Sequence, residues 1–420
     1  MKTGIVLLLV CSCIFLVEAL SSNHLIYRSA SYKERSILDF LEKALFHITG
    51  VDPEISYNVS QLISTKGYPV EEYTVQTEDG YLLGVQRIPH GVNKTDNSTR
   101  PVIFLLHGLL CSSTNWVTNL ANESLGFILA DAGFDVWLGN VRGNTYAKKH
   151  IHLDPNSEEF WKFSWDEMAR YDLPAMLEFA LAKSGQSQLY YVGHSQGTLM
   201  AFSQFSRDQN LAKKVRKFFA LGPVATVGDI ESPLKFLSIL PDHLLYFLLG
   251  RRDFMPSNEI FKLLAGTLCK NRETEPVCAN VLFLICGFDK KELNATRMPV
   301  YIGHTPAGTS VQNLVHFSQM VRSKLFQSYD FGSSEENHKH YNQSIPPLHH
   351  VEKMKTPTVL FWAGKDLLAD PKDVKMLMAR IPHLEASFEI PDWDHLDFIW
   401  GMNAAPVVYD KIIKIIHDNP

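Results

Sequence analysis

The stretch that decides the fold of this chain is Leu189-Tyr190-Tyr191-Val192-Gly193-His194-Ser195-Gln196-Gly197-Thr198. An apolar, aromatic-rich run typical of a β-strand leads into the pentapeptide G-x-S-x-G, and a run with helical spacing follows it. The two glycines permit a sharp turn, which would lift the Ser195 hydroxyl above the edge of a sheet and direct a helix N-terminus at it. Because a pentapeptide is a short motif, the stretch is also compatible with a glycine-rich turn that carries a surface serine.

Strand and helix patterns alternate on both sides of this stretch. A continuous apolar run at 102–106 predicts a buried parallel strand, and further strands are predicted at 134–138, 189–194, 217–222, 358–363 and 386–390. Helical spacing of apolar residues predicts helices at 125–132, 165–183, 195–206 and 404–416. Two alternating runs around an Asp-Gly turn predict a β-hairpin over 73–88. The alternation indicates the α/β class, with a mostly parallel central sheet and helices on both faces.

The alternating pattern stops between residues 226 and 319. This segment instead holds apolar clusters at 236–240 and 244–249 and three of the four cysteines that follow the apolar N-terminus. We therefore predict a mainly helical cap at 226–319, inserted between two parts of one core, 51–225 and 320–420. Two ordinary additional core helices are the alternative interpretation.

Two residues that follow late strands could convert Ser195 into a nucleophile. A serine hydroxyl is a weak nucleophile until a base removes its proton, and in α/β-hydrolases an acid and then a histidine follow the serine along the chain. Asp366 comes just after the strand at 358–363, and His395 lies in the loop after the strand at 386–390. Each alone could be a turn carboxylate or a structural histidine. The three residues in this order predict an α/β-hydrolase fold with a catalytic triad.

Three neighbouring residues fit these roles less well. Asp370 and Asp373 lie further from the strand end, where acids commonly begin a helix. His194 precedes the serine directly, but a neighbour in a tight turn points away from the hydroxyl. We therefore interpret His194 as a packing residue.

An oxyanion formed at this site requires two preorganised N–H donors. The residue after the nucleophile supplies one, which is the backbone N–H of Gln196. The loop after the strand at 102–106 supplies the other; Leu109 is the natural donor there, with Gly108 and Leu110 as alternatives. This set predicts an acyl-enzyme mechanism that needs no metal and no organic cofactor.

The N-terminus has the pattern of a secretory signal peptide. Lys2 precedes an apolar run at 5–17 that is short for a bilayer span, so we predict removal of residues 1–19 and treat a membrane anchor as the alternative. Residues 20–50 form a separate segment, interpreted as a propeptide or an N-terminal helix over 32–48. Six N-x-[ST] sequons favour a glycoprotein: Asn58, Asn93, Asn97, Asn122, Asn294 and Asn342.

Composition and cysteine usage exclude several other classes. The 420-residue chain has a net charge of −5, which gives no electrostatic case for nucleic acid binding. The sequence holds no glycine-rich nucleotide motif, no CxxC pair and, after the N-terminus, no apolar run long enough to span a membrane. Cys269 and Cys278 close a short loop and are the favoured disulfide, whereas Cys111 and Cys286 are expected to be free buried thiols. Nothing in the sequence defines the oligomeric state.

Blocks much longer than the pentapeptide resemble the mammalian acid lipases, the family of lysosomal acid lipase (cholesteryl ester hydrolase) and gastric lipase. The resemblance extends from about residue 51 to the C-terminus, and its markers lie at 67–73, 77–81, 107–110, 130–137, 193–197, 306–313 and 395–401. Residues 116–122 and 240–244 resemble the lysosomal members more closely. The family's Gly-Asn-Ser-Arg-Gly-Asn-Thr-Trp differs from residues 139–146 at Val141 and Tyr146, and residues 20–50 are unlike the family.

The resemblance implies hydrolysis of triacylglycerols and, for lysosomal members, of cholesteryl esters, at acidic pH and at a lipid–water interface. It implies a lysosomal destination, with secretion as the alternative. It also assigns roles to particular residues: nucleophile, acid and base to Ser195, Asp366 and His395, oxyanion donors to Leu109 and Gln196, and the cap disulfide to Cys269 and Cys278, with Cys286 unpaired.

Four functions remain to be distinguished. The apolar residues at 234–249 favour a lipid-ester hydrolase over a peptidase or small-ester hydrolase on the same fold, because a fatty acyl chain requires an apolar trench. A gastric- or epidermal-type triacylglycerol lipase would lack cholesteryl esterase activity. A non-catalytic binding protein would be marked by loss of a triad residue, and all three are present.

Overall fold

A central β-sheet organises the molecule. The computed structural model describes residues 52–93, 98–255, 286–287 and 291–418. The strands of these residues are β1 (Glu71–Gln76), β2 (Tyr81–Ile88), β3 (Val102–Leu106), β4 (Asp135–Gly139), β5 (Lys149–His150), β6 (Leu189–His194), β7 (Val215–Leu221), β8 (Asp253–Phe254), β9 (Thr309–Ser310), β10 (Thr358–Ala363) and β11 (Leu384–Ile390). Within the described part, nine of them form one sheet in the order β1-β2-β4-β3-β6-β7-β10-β11, with β5 beside β2.

Most of this sheet is parallel. Strands β4, β3, β6, β7, β10 and β11 run in the same direction, whereas the hairpin β1–β2 is antiparallel and pairs with β4. The hairpin turns at Asp79 and Gly80, as its sequence predicts, and Gly80 has a φ of +97°. Because the carboxyl ends of the parallel strands lie at one edge, the loops that follow them meet there.

Helices cover the sheet. They are α1 (Val59–Ser64), α2 (Leu125–Ala132), α3 (Leu173–Ser184), α4 (Gln196–Arg207), α5 (Asp242–Leu249), α6 (Met298–His304), α7 (Val311–Ser323), α8 (Ser334–Tyr341), α9 (Pro371–Met378) and α10 (Asp410–Asp418), with shorter turns at Trp165–Glu167, Gln209–Ala212 and Asp397–Trp400. Among the described residues, none of these helices is long and apolar enough to cross a bilayer.

Alternate residues of the central strands enter two separate hydrophobic cores. Phe104 of β3 and Tyr191 of β6 pack with residues of α3 and α4 on one face. Leu105 of β3 and Val192 of β6 pack with residues of α2 and α10 on the other. All four side chains are fully buried, as a parallel strand covered on both faces requires. The predicted α/β class, with helices on both faces, is confirmed.

Two predicted helices begin differently from a regular α-helix. The segment predicted at 165–183 starts as Trp165–Glu167, continues as a π-turn over Met168–Asp172 and becomes α3. The last helix likewise starts with a π-turn over Ala405–Tyr409 before α10. A proline lies at each irregularity, Pro174 and Pro406, and its missing N–H interrupts the regular hydrogen-bond ladder.

The segment predicted as a cap is mainly helical where it is described. It contains the 3-10 helix Pro233–Ile239, α5, the two-stranded ribbon β8–β9, α6 and the first part of α7. Leu245 of α5 packs against Val311 and Val315 of α7. Helix α7 runs across the boundary predicted at residue 319, so a boundary at its N-cap, Ser310, would keep the helix whole. The predicted signal peptide, the segment 20–50 and the Cys269–Cys278 pair lie outside the described residues.

A buried arginine ties three elements of the core together. Arg142, in the loop after β4, is 1% exposed; its guanidinium donates to both carboxylate oxygens of Asp79 (2.6 and 2.8 Å) and to Asp172 (2.8 Å). Its backbone N–H also donates to Asp172 at 2.8 Å, and the guanidinium lies 3.9 Å from the ring centre of Tyr81. Burial raises the pKa of Asp172 to about 6, against the lowering effect of Arg142.

Replacing Arg142 with methionine is expected to lower the free energy of unfolding by about 3–5 kcal/mol at neutral pH, because Asp172 is then a buried charge without its partner. Loss of Arg142 raises the pKa of Asp172 further, so the carboxyl becomes neutral at mildly acidic pH and the destabilisation shrinks there. Urea unfolding at pH 5 and pH 7.5 measures both effects. The matched control is Arg380→Met, whose ion pair with Glu352 is exposed and worth about 0–1 kcal/mol. Equal losses in the two variants would contradict the prediction.

Candidate active site

The G-x-S-x-G stretch forms a strained turn between β6 and α4. Ser195 is the residue between them, with φ +54° and ψ −118°. Each glycine is required by a close approach: a Cβ on Gly197 would lie 2.4 Å from the carbonyl oxygen of Leu106, and one on Gly193 would lie 2.8 Å from the backbone of Gly197. Strained φ/ψ values of this kind cluster at functional sites. The turn therefore brings the serine against the end of β3.

Asp366 and His395 form a buried hydrogen-bonded pair. His395 Nδ1 lies 2.7 Å from Asp366 Oδ2, and both residues are 2% exposed. Asp366 Oδ1 accepts hydrogen bonds from the backbone N–H groups of Leu368 and Ala369, both at 2.8 Å. All three bonds hold the carboxylate in one orientation. The residues follow β10 and β11, as predicted.

The elements after four parallel strands bring this pair to the serine turn. Gly222, directly after β7, lies against both His395 and Asp366, because a Cβ there would be 3.2 Å from the imidazole and 3.6 Å from the carboxylate. The backbone N–H of Ser195 donates to the carbonyl of Leu221 at 3.0 Å. The structure thus brings the three predicted triad residues to the same edge of the sheet.

His194 does more than pack. Its Nε2 lies 2.9 Å from the carbonyl oxygen of His395, and the two rings are 4.8 Å apart. Burial is the main cause that holds the pKa of His194 well below its usual value, so the imidazole is neutral and donates Nε2–H to that carbonyl. The interpretation as a packing residue was incomplete, because His194 fixes the backbone of the loop that carries His395.

The loop after β3 lies beside the serine. A Cβ on Gly108 would be 2.9 Å from the Cβ of Ser195. Leu110 has φ +61°, and its carbonyl accepts the N–H of Ala307 at 2.6 Å. Leu109 therefore belongs to a loop that contacts the serine, and Gln196 follows Ser195 directly at the start of α4.

A buried polar network supports this loop. His107 Nδ1 donates to the carbonyl of Gly108 at 2.8 Å, and its Nε2 accepts from Asn144 Nδ2 at 3.0 Å. Asn144 in turn donates to Asn140 Oδ1 at 3.0 Å, and the same oxygen accepts the N–H of Ser113 at 2.9 Å. Burial lowers the pKa of His107 to about 4, so the imidazole can keep its Nε2 lone pair. Neither asparagine was identified as functional from the sequence, since a lone buried amide leaves no periodic pattern.

The remaining predicted sites are described only in part. Cys111 and Cys286 are free and buried, as expected. Among the sequons, Asn93, Asn122 and Asn342 are exposed, whereas Asn58 caps α1 by accepting the N–H of Gln61 and is half-buried, as is Asn294. Asn97 lies outside the described residues. No cluster of three His, Cys, Asp or Glu side chains suited to a metal ion occurs in residues 52–93, 98–255, 286–287 and 291–418.

Comparison with known proteins defines the class first. The sequence matches the family model described as alpha/beta hydrolase fold over residues 101–402, and the one described as a partial alpha/beta-hydrolase lipase region over residues 59–120. A solved structure from Sulfolobus solfataricus, described as a candidate lipase, superimposes with a TM-score of 0.53 at 14% identity, over 84% of this chain and 94% of its own. The protein has the α/β-hydrolase fold.

Two human proteins are similar over most of their length. Lysosomal acid lipase/cholesteryl ester hydrolase of Homo sapiens is 53% identical over 370 residues, which is 88% of this chain and 93% of its own. Gastric triacylglycerol lipase of Homo sapiens is 51% identical over 368 residues, which is 87% of this chain and 92% of its own. The chain belongs to the family of these acid lipases.

Proposed function

We propose that this protein is a serine hydrolase that cleaves the carboxylic esters of neutral lipids. The observation that carries the proposal is the buried Asp366–His395 pair beside the serine turn, in a chain that belongs to a lipase family. In this proposal Ser195 is the nucleophile, His395 the general base and acid, and Asp366 the carboxylate that orients it. Leu109 and Gln196 donate the two backbone N–H groups of the oxyanion hole.

Asp366 sets the tautomer of the base. Since its carboxylate accepts Nδ1–H of His395, the Nε2 lone pair is free to take a proton. Nε2 removes the proton of Ser195 as Oγ attacks the ester carbonyl carbon, and the oxyanion is stabilised by the N–H groups of Leu109 and Gln196. When the tetrahedral intermediate collapses, the ester C–O bond breaks and Nε2–H protonates the departing alcohol. Water then gives a proton to Nε2, attacks the acyl-enzyme and releases the fatty acid, and Oγ regains its proton.

An exposed apolar patch supports action at a lipid surface. Phe236, Ile239, Phe247 and Leu248 are 60%, 73%, 82% and 60% exposed, and all four lie on the 3-10 helix Pro233–Ile239 and on α5. We call these four residues the apolar patch. Exposed clusters of large apolar side chains mark interaction sites. A lipase that acts on emulsified lipid needs an apolar surface of this kind, which inserts into the droplet. The patch lies within the segment 226–319, which we propose acts as the cap.

The names of the two human relatives suggest which esters this protein hydrolyses and where it is located. One is named for cholesteryl esters and the lysosome, the other for triacylglycerols and the stomach. On that basis we propose that the protein hydrolyses both classes of ester at acidic pH. We also propose a lysosomal location, with secretion as the alternative. Because the two relatives are almost equally identical to this chain, a gastric-type lipase that acts on triacylglycerols alone is the second candidate.

The test is a substrate panel with the purified protein at about pH 5, where a lysosomal enzyme works. Emulsified trioleoyl glycerol and cholesteryl oleate should both be hydrolysed, and pretreatment with a fluorophosphonate should abolish both activities. Turnover of trioleoyl glycerol alone would favour the gastric-type lipase. Turnover of short-chain esters alone would contradict the lipid assignment, and failure of the probe to label Ser195 would contradict the serine hydrolase.

The double variant Ile239→Ser, Phe247→Ser is expected to lose about 10- to 100-fold activity on emulsified trioleoyl glycerol, because burying about half of each apolar side chain in the lipid would contribute about 1.5–3 kcal/mol for the two together. Its activity on a soluble short-chain ester should stay within about twofold. Rates on both substrates, measured side by side, give the comparison. Ile151→Ser, at an exposed isoleucine outside the predicted cap, is the matched control. Equal losses on both substrates would contradict a role in interfacial binding.

A further inference from the structure

The side chain of Gln196, whose backbone N–H is one proposed oxyanion donor, is held at both ends. It is 2% exposed; its Oε1 accepts from Asn313 Nδ2 at 2.8 Å, and its Nε2 lies 3.4 Å from the sulfur of Met168. Helix α4 is buried from Gln196 to Ser206, so the amide of Gln196 requires partners inside the protein. Here the amide is clamped between α7 and the π-turn that precedes α3.

Asn313 has its polar side-chain groups engaged and is completely buried. Its Oδ1 accepts the backbone N–H of Trp165 at 2.8 Å, and its two Nδ2 hydrogens go to Gln196 Oε1 and to Thr309 Oγ1 at 3.0 Å. Its own N–H donates to the cap residue Ser310 at 2.9 Å. An amide fixed at this many points cannot rotate, so it holds Gln196 relative to two other elements.

The peptide between Ser195 and Gln196 needs such a restraint. Ser195 has the unfavourable φ of +54°, and strained residues of this kind persist only when their surroundings over-determine them. Relaxation of that strain would rotate the peptide and turn the Gln196 N–H away from a developing oxyanion. The side-chain anchor opposes this rotation from the far side of the same residue.

We propose that Asn313 is a positioning residue, which aims the Gln196 N–H at the oxyanion through the Gln196 side chain and so couples helix α7 to the catalytic turn. The inference rests on the proposed serine hydrolase mechanism. Asn313 touches no reacting atom, and its effect therefore requires Gln196 as the intermediary.

The effect belongs to the transition state, because an oxyanion hole binds the developing charge and not the ground-state ester. Removal of one oxyanion donor lowers kcat by about 10²–10³-fold, and a donor that is loosened rather than removed should lose less. Asn313→Leu is therefore expected to lower kcat for a soluble p-nitrophenyl ester about 10- to 100-fold, with KM within about twofold. The rate of fluorophosphonate labelling of Ser195 should fall in parallel, because phosphonylation develops charge at the same place.

Asn337→Leu is the matched control for the loss of a buried asparagine. Asn337 is 3% exposed and, like Asn313, makes three side-chain hydrogen bonds, here with Phe331 N–H (2.9 Å), Asp330 (2.9 Å) and the carbonyl of Ser344 (3.3 Å). None of these partners is near the serine turn in sequence or belongs to it. Thermal unfolding should show a loss of stability in both variants, whereas only Asn313→Leu should lower kcat and the labelling rate.

A double-mutant cycle with Gln196→Met separates positioning from general destabilisation. If Asn313 acts through Gln196, Gln196→Met alone lowers kcat, and adding Asn313→Leu to it lowers kcat no further. Additive losses, or a kcat for Asn313→Leu within twofold of the wild type, would overturn the inference. If Asn313→Leu does not fold, the single variant Gln196→Met still tests the inference. An unchanged rate of Ser195 labelling in that variant would overturn it. A wild type that is labelled at Ser195 but hydrolyses no lipid ester contradicts only the proposed substrate, whereas one that is never labelled removes the mechanism and this inference together.

Discussion

Replacing Ser195 with alanine is expected to lower kcat for lipid esters by about 10⁶-fold and to leave the fold unchanged. Alanine has no atom that can form the acyl-enzyme, and the proposed oxyanion donors can then assist only direct attack by water. Alanine would adopt the same φ of +54° as serine, so the backbone strain is the same in both proteins. Steady-state rates, thermal unfolding and mass spectrometry after fluorophosphonate treatment measure the three parts of this prediction.

The control for Ser195→Ala is Ser206→Ala, in the helix that follows the turn. Ser206 is 6% exposed, and its hydroxyl donates only to the carbonyl of Ser203 at 2.8 Å. The activity of the Ser206→Ala variant should stay within about twofold of the wild-type activity. Residual activity of Ser195→Ala above about 1%, or continued covalent labelling elsewhere in the site, would show that another residue is the nucleophile.

Replacing Asp366 with asparagine is expected to lower kcat by about 10⁴-fold with little change in KM. Two backbone N–H groups donate to Oδ1 of Asp366, so the amide oxygen must stay there and the new NH₂ group must face His395. The NH₂ group can only donate, and it therefore selects the tautomer of His395 that carries its proton on Nε2. In that tautomer the nitrogen that should accept the serine proton is already protonated.

Asp370→Asn provides the matched control for this exchange. Asp370 lies four residues further on and caps α9 by accepting the N–H of Lys372 at 2.8 Å, a role that asparagine fills almost equally well. The kcat of Asp370→Asn should stay within about twofold of the wild-type value. Rates of Asp366→Asn and Asp370→Asn on one soluble ester give the comparison. If Asp370→Asn were the more damaging variant, the assignment of the acid would be wrong.

The order of the elements and the positions of the triad candidates could be predicted from the sequence because they leave local patterns. Apolar runs mark the buried strands, and Asp366 comes just after one of them, β10, whereas His395 follows the half-exposed edge strand β11. In a parallel sheet the ends of neighbouring strands lie together. The prediction that three distant residues share one edge therefore required only the strand positions and the fold class.

The contacts that hold the site in place were not predictable in the same way. His194 and the carbonyl of His395 are 201 residues apart in sequence, and Gln196 and Asn313 are 117 apart. Buried hydrogen bonds of this kind have no periodicity and depend on the detailed path of loops. The π-turns before α3 and α10 were missed for a different reason. The spacing of apolar residues does not show how a proline changes the backbone hydrogen bonds of a helix.

The position of the proposed acid and base in the chain has a consequence for biosynthesis. The serine turn and the loop after β3 lie in the first half of the chain, whereas Asp366 and His395 follow β10, which pairs with β7, and β11, which pairs with β10. A nascent chain that has been translated only through residue 319 would carry the proposed nucleophile, Ser195, without the proposed base, His395. We therefore expect the protein to be inert toward lipid esters until β10, β11 and the loops that carry Asp366 and His395 have folded onto the sheet.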